Sequence, residues 1–143
     1  MARINRPLRL AALALLFGAS AAALACGSCV EDKIASTYDH ALGKRSVEAG
    51  HHVAYYHLDG PLGKDEATRR ALIAAAESVS GVDKGSVRIA LETLTISFAF
   101  DPKRAALGSI QNSFDRKLAS RKLSLFPMRV IERPAELKEI TRR

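Results

Sequence analysis

Residues 86–100 read Ser-Val-Arg-Ile-Ala-Leu-Glu-Thr-Leu-Thr-Ile-Ser-Phe-Ala-Phe. Val87, Ile89 and Leu91 alternate with Ser86, Arg88 and Ala90, and beyond Glu92-Thr93 the alternation resumes with Leu94, Ile96, Phe98 and Phe100. A period of two with apolar residues on one side is the pattern of strands that bury a single face, so the stretch predicts a β-hairpin lying over a core. Upstream, residues 65–80 place Leu72, Ile73, Ala76 and Val79 on one helical face, with Asp65 and Glu66 at the start and Gly81 after the end. Before that helix, His-His-Val-Ala-Tyr-Tyr-His-Leu (51–58) is aromatic and β-branched and is closed by Asp59-Gly60-Pro61, which reads as a strand. Downstream, Asp101-Pro102 turns into a second helix carrying Leu107, Ile110, Phe114 and Leu118 at helical spacing. Residues 122–131 supply a last strand. Pro127 within it has no N–H for a ladder, which predicts an edge position or a bulge.

The order is therefore βαββαβ, an α+β fold of the ferredoxin-like kind, with two helices on one face of a four-stranded antiparallel sheet. On the first strand Ala54, Tyr56 and Leu58 are expected to face the helices, leaving His51, Tyr55 and His57 on an open face. A short helix carrying Val30, Ile34, Tyr38 and Leu42 precedes the sheet and is expected to end at Gly43. The tail from 132 to 143 is polar, with an isolated Pro134, and reads as at most a frayed helix.

The N-terminal 25 residues stand apart. Arg3, Arg6 and Arg9 form a basic region, residues 10–17 an apolar one, and Ala23-Leu24-Ala25 a small-x-small cleavage site. This is the layout of a secretory signal peptide, and the apolar run, interrupted by Gly18 and Ser20, is short for a membrane span. The 143 residues carry 22 Lys and Arg against 15 Asp and Glu, a net +7; removing the three leader arginines brings this to +4. The basic pairs, such as Arg69-Arg70 and Arg116-Lys117, alternate with helix core positions and read as solvated faces. Nucleic acid is not an expected partner of an exported chain with that balance; an anionic membrane surface or an acidic periplasmic protein is the more plausible one. The chain is thus divided into a signal peptide (1–25), a Cys-x-x-Cys segment with its short helix (26–50), one domain (51–131) and a polar tail (132–143).

Cleavage after Ala25 makes Cys26 the first mature residue, in Cys26-Gly27-Ser28-Cys29. Two thiolates two residues apart are soft ligands able to grip one Cu(I) ion. A zinc ion would need two further ligands, for which His51 and His52 are the nearest candidates, although neighbours on a strand point to opposite faces. Three other uses of the pair stand beside metal binding. Cys26 at the cleavage point can receive lipid and anchor the chain to a membrane. The two thiols can close a disulfide outside the cytosol. A Cys-x-x-Cys beside a helix start also has the local form that lowers a thiol pKa for thiol–disulfide exchange. No phosphate loop, Ser-His-Asp ordering or paired carboxylates suggest hydrolase or nucleotide chemistry.

Residues 51–131 resemble the heavy-metal-associated domain of copper chaperones and metal-transporting ATPases. The resemblance is carried by Leu58-Asp59-Gly60, Ser80-Gly81-Val82, Leu91-Glu92-Thr93, and Asp101-Pro102 with Ile110. It implies a βαββαβ fold and soft-metal handling. That family's Cys-x-x-Cys lies in the loop after the first strand, which here reads Gly60-Pro61-Leu62-Gly63-Lys64 and holds no ligand. The ligand pair is therefore expected at Cys26 and Cys29, with His51 and His52 as accessory candidates. The expected function is an exported carrier or sequestering protein for copper or a similar soft ion, not an enzyme. The alternative is a lipid-anchored or disulfide-bearing module docking a partner on the sheet face around Tyr55, Thr95 and Ser97.

Overall fold

A computed structural model describes residues 22–141, and side chains from residue 30 onward, apart from those of residues 139 and 141. The elements run α1 (Ala22–Thr37), α2 (His40–Glu48), β1 (His52–Asp59), α3 (Glu66–Glu77), β2 (Arg88–Ala90), β3 (Thr95–Phe100), α4 (Leu107–Leu118), a 3-10 turn (Ala119–Arg121), β4 (Ser124–Ile131) and α5 (Pro134–Thr141). The fold is α+β. One four-stranded sheet has the order β2-β3-β1-β4, and every neighbouring pair is antiparallel.

The apolar alternation read in the hairpin and first strand builds the main core. Ala54, Tyr56 and Leu58 of β1 join Ile96, Phe98 and Phe100 of β3 beneath Leu72 and Ala76 of α3 and Ile110, Phe114 and Leu118 of α4. Phe98 stacks between Tyr56 and Phe114, at ring separations of 5.7 and 5.2 Å. Asp65 caps α3 by accepting from the Thr68 N–H at 2.8 Å. Two turn glycines have steric reasons. Gly60 (φ +124°) and Gly81 (φ +97°) lie in left-handed conformations, and a Cβ would come 2.3 Å from the Lys122 carbonyl oxygen at the first and 2.4 Å from the Ala105 Cβ at the second. Pro127 fits the expectation doubly: β4 is an edge strand, and its register on β1 shifts between Tyr55↔Arg129 and Tyr56↔Pro127, making Met128 the extra residue of a bulge.

The other face of the sheet departs from expectation, because it is not open. Val53 and Tyr55 of β1, Ala99 of β3 and Ile131 of β4 pack with Ile34 of α1, Val47 of α2 and Leu137 of α5 in a second core. The molecule therefore has three layers, with α3 and α4 on one side of the sheet and α1, α2 and α5 on the other. Tyr55, Thr95 and Ser97, expected as a docking surface, are only 2%, 0% and 2% exposed. The two hydroxyls of β3 find acceptors within the fold: Ser97 donates to the Thr37 carbonyl at 3.2 Å, and Thr95 to the Thr93 carbonyl at 3.3 Å.

The flanks explain this closure. Gly43 does not end the first helix. The break falls at Tyr38-Asp39, where the Asp39 carboxylate accepts from the Leu42 N–H at 2.9 Å and caps a second helix. Gly43 is buried inside that helix, where a Cβ would lie 2.9 Å from Leu137 Cδ2, so its missing side chain lets α2 and α5 approach closely. The C-terminal tail likewise forms a packed helix, with Leu137 3% exposed. No helix among the described residues is long and apolar enough to cross a membrane. The signal-peptide reading falls on residues 1–21, outside the described ones, and on the first turn of α1.

Candidate metal centre

Cys26 and Cys29 both lie on α1, three residues apart. Helical geometry puts their Cα atoms about 5 Å from each other, a separation compatible with two thiolates on one ion or with a disulfide. Their side chains lie outside the described residues. What the structure does define is how α1 is held. Ile34 is fully buried, Val30 packs on the second core, and Glu31 forms a two-pronged ion pair with Arg129 of β4. Ser36 hydrogen-bonds Thr93 at 2.7 Å. The C-terminal half of α1 is thus fastened across β3, β1 and β4, and the cysteines continue the same helix beyond the last of these anchors.

His51 and His52 are not brought to that end of α1. His51 donates from Nδ1 to Asp83 at 2.5 Å. The His52 ring stands edge-on to Phe100, with ring centres 5.5 Å apart, and its Nδ1 is 3.8 Å from Glu132. Both sit where β1 begins. The place where α1 meets β1 through Lys33 is five residues further along the strand, about 17 Å away. His40 is occupied by the Tyr38 hydroxyl at 2.9 Å. Among the described residues no three His, Cys, Asp or Glu side chains are gathered to hold an ion.

His57 is the residue that sequence reasoning passed over. It lies on β1 facing α1, with Nδ1 2.9 Å from the Leu94 carbonyl oxygen and 3.3 Å from Lys33 Nζ. The Leu94 carbonyl can only accept and the Lys33 ammonium can only donate, so the two compete for the same ring nitrogen. Leu94 itself is left-handed, at φ 53°, and its carbonyl also accepts from the Leu58 N–H at 2.7 Å. Its half-buried ring is therefore oriented by a turn residue in a costly conformation. The period-two register with Tyr55 already put His57 on this face; what that register could not reveal was the helix lying over it.

The surrounding electrostatics follow from the packing. Burial, with Tyr38 and Asp39 nearby, pushes the Tyr55 phenol well above its ordinary value. The Leu42 N–H, helped by the Arg88 guanidinium 3.0 Å away, holds the Asp39 carboxyl below the usual range. Lys33 stands four residues after Cys29, one helical turn on, with its ammonium 3.3 Å from His57 Nδ1. The chain matches no protein-family model, and no curated protein matches it in sequence.

Proposed function

We propose that the chain is an exported carrier or sequestering protein for a soft metal ion, of which Cu(I) fits the donor set best, held by the thiolates of Cys26 and Cys29. The observation that carries this reading is the placement of both cysteines three residues apart on one helix whose other half is locked to the sheet. Cleavage after Ala25 would make Cys26 the first residue of that helix. Both thiols would then sit in its first turn, where the unpaired N–H groups and the helix dipole favour thiolate over thiol. The strand order β2-β3-β1-β4 and the βαββαβ succession from β1 to β4 support a ferredoxin-like, heavy-metal-associated-like reading of the sheet unit. The competing picture, a module that docks a partner on the face around Tyr55, Thr95 and Ser97, has lost that surface to α1 and α2.

The test is the intact mass of the protein recovered from its native host under gentle, anaerobic ionisation. A chain beginning at Cys26, without acyl groups and carrying one metal ion, is the expected result. Acyl chains on Cys26, or a metal-free chain lighter by the two hydrogens of a disulfide, would overturn the proposal in favour of an anchor or a staple.

A further inference from the structure

We propose that the corner where α4 runs through the 3-10 turn into β4 is a docking surface for an anionic lipid bilayer, which meets the sheet edge-on. The inference is independent of the thiolate reading. Arg116 and Lys117 in the last turn of α4, Arg121 of the 3-10 turn and Lys122 after it put four exposed cations into seven residues, a helical span of about 10 Å. The carbonyl end of α4 favours cations, which lets these like charges gather. Elsewhere on the fold Arg69, Arg88, Arg129 and Arg133 each meet a carboxylate. Among the described residues none of the four corner cations forms an ion pair, and Arg116 donates instead to the Ser113 hydroxyl at 3.0 Å. Asp115, which shares a groove with Lys122, and Asp59, in register with Ser124, are the acids the fold sets beside them. Four cations against two acids leave the corner at +2.

Lipid is singled out by what lies on the other side of the edge strand. Phe126, near the start of β4, is 53% exposed, the one large apolar side chain so exposed among the described residues. Leu125 beside it enters the core under α3 and α4, so Phe126 and its register partner His57 point to the opposite face of the sheet. The cations and the ring therefore flank one strand from its two sides. A small inorganic anion reaches only the cations. A flat surface meeting the edge reaches both, with headgroup phosphates on the cations and the ring at the acyl boundary. Strand addition by a peptide is disfavoured on this edge, because Pro127 lacks an N–H and Met128 forms a bulge. Helix α1 leaves the sheet across the same edge. Toward its N-terminus it meets Thr93 through Ser36, His57 through Lys33 and Arg129 of β4 through Glu31. Residues 22–30 carry the helix about 13 Å beyond that last contact.

The experiment sediments the protein recovered from its native host with vesicles of equal parts phosphatidylglycerol and phosphatidylcholine, and with vesicles of phosphatidylcholine alone. It is run on the natural protein, on an Arg116→Gln, Lys117→Gln, Arg121→Gln triple variant and on Phe126→Ser. A second triple variant, Lys84→Gln, Lys103→Gln, Arg104→Gln, removes the same charge at the other end of α4, about 18 Å away. All of these side chains are exposed, so the fold is retained. The expected result is binding to the anionic vesicles that is released by concentrated salt. The corner triple weakens it about a hundredfold, at about fivefold per cation, and Phe126→Ser about fivefold. The distant triple, beyond a screening length, changes it by no more than about twofold. Equal binding to both kinds of vesicle, no binding to the anionic ones, or an equal loss in the two triples overturns the inference. Displacement of the vesicles by an equal charge of polyglutamate also overturns it, in favour of an acidic protein partner.

Discussion

Glu31 of α1 and Arg129 of β4, 98 residues apart in the chain, form a two-pronged ion pair that ties the cysteine-bearing helix to the bulged edge strand. Their side chains keep 24% and 34% of their exposure, so the pair is half-solvated and its worth to global stability is modest. Its consequence is local. Replacing Arg129 with Gln is expected to cost about 1 kcal/mol or less in urea denaturation, while amide exchange over α1 accelerates relative to α3. Equal acceleration in the two helices would show that the pair does not hold α1 in particular.

Ile34 tests whether the second core is a true core. It is 0% exposed beneath α1 and touches the face of the sheet that an open-sheet arrangement would leave to water. Ile34→Ala should lower unfolding free energy by about 2–5 kcal/mol, the range for truncating a buried aliphatic side chain. A loss within about 0.5 kcal/mol, the range of surface substitutions, would contradict the three-layer packing.

The contrast between the two faces shows what the residues made legible. The α3/α4 side was readable because Ile96, Phe98 and Phe100 are large, alternate strictly, and face helices with apolar residues at helical spacing. The opposite side of β3 offers Thr95, Ser97 and Ala99, a set that reads as solvated. It is buried because these side chains are small enough to admit α1 and α2 closely and because their hydroxyls find acceptors in Thr93 and Thr37. The helices that cover it carry little apolar signal: α2 buries Val47 and a glycine, and Leu137 is the fully buried anchor of α5. At the candidate centre, the Cys-x-x-Cys was visible as a spacing. The histidine beside its helix was obscured, since proximity across 24 residues depends on how α1 crosses the sheet. His51 and His52, closer to the cysteines in sequence, were separated from that end of α1 by the length of β1.

Burial of two tyrosines sets the alkaline limit. Burial pushes the Tyr56 phenol up to about 12, with Asp115 adding to the shift, and Tyr55 is raised further by its deeper burial. Unfolded tyrosines ionise near pH 10, so above that pH the unfolded chain releases protons that the folded chain retains. The stabilisation is fully present below about pH 10 and is lost as pH rises through about 12. Denaturation midpoints measured across this range should fall steeply, with phenolate absorbance from these two residues emerging only as the chain unfolds. Early phenolate formation without loss of structure would mean that neither ring is buried as described.

The central claim is that Cys26 and Cys29 together hold a soft metal ion, and anaerobic competition for Cu(I) tests it most directly. The reduced protein should take one equivalent from a chromophoric chelator, and the Cys26→Ser, Cys29→Ser double variant should take none while keeping the same helical and sheet content. A double variant that retains the full affinity of the natural protein would contradict the account.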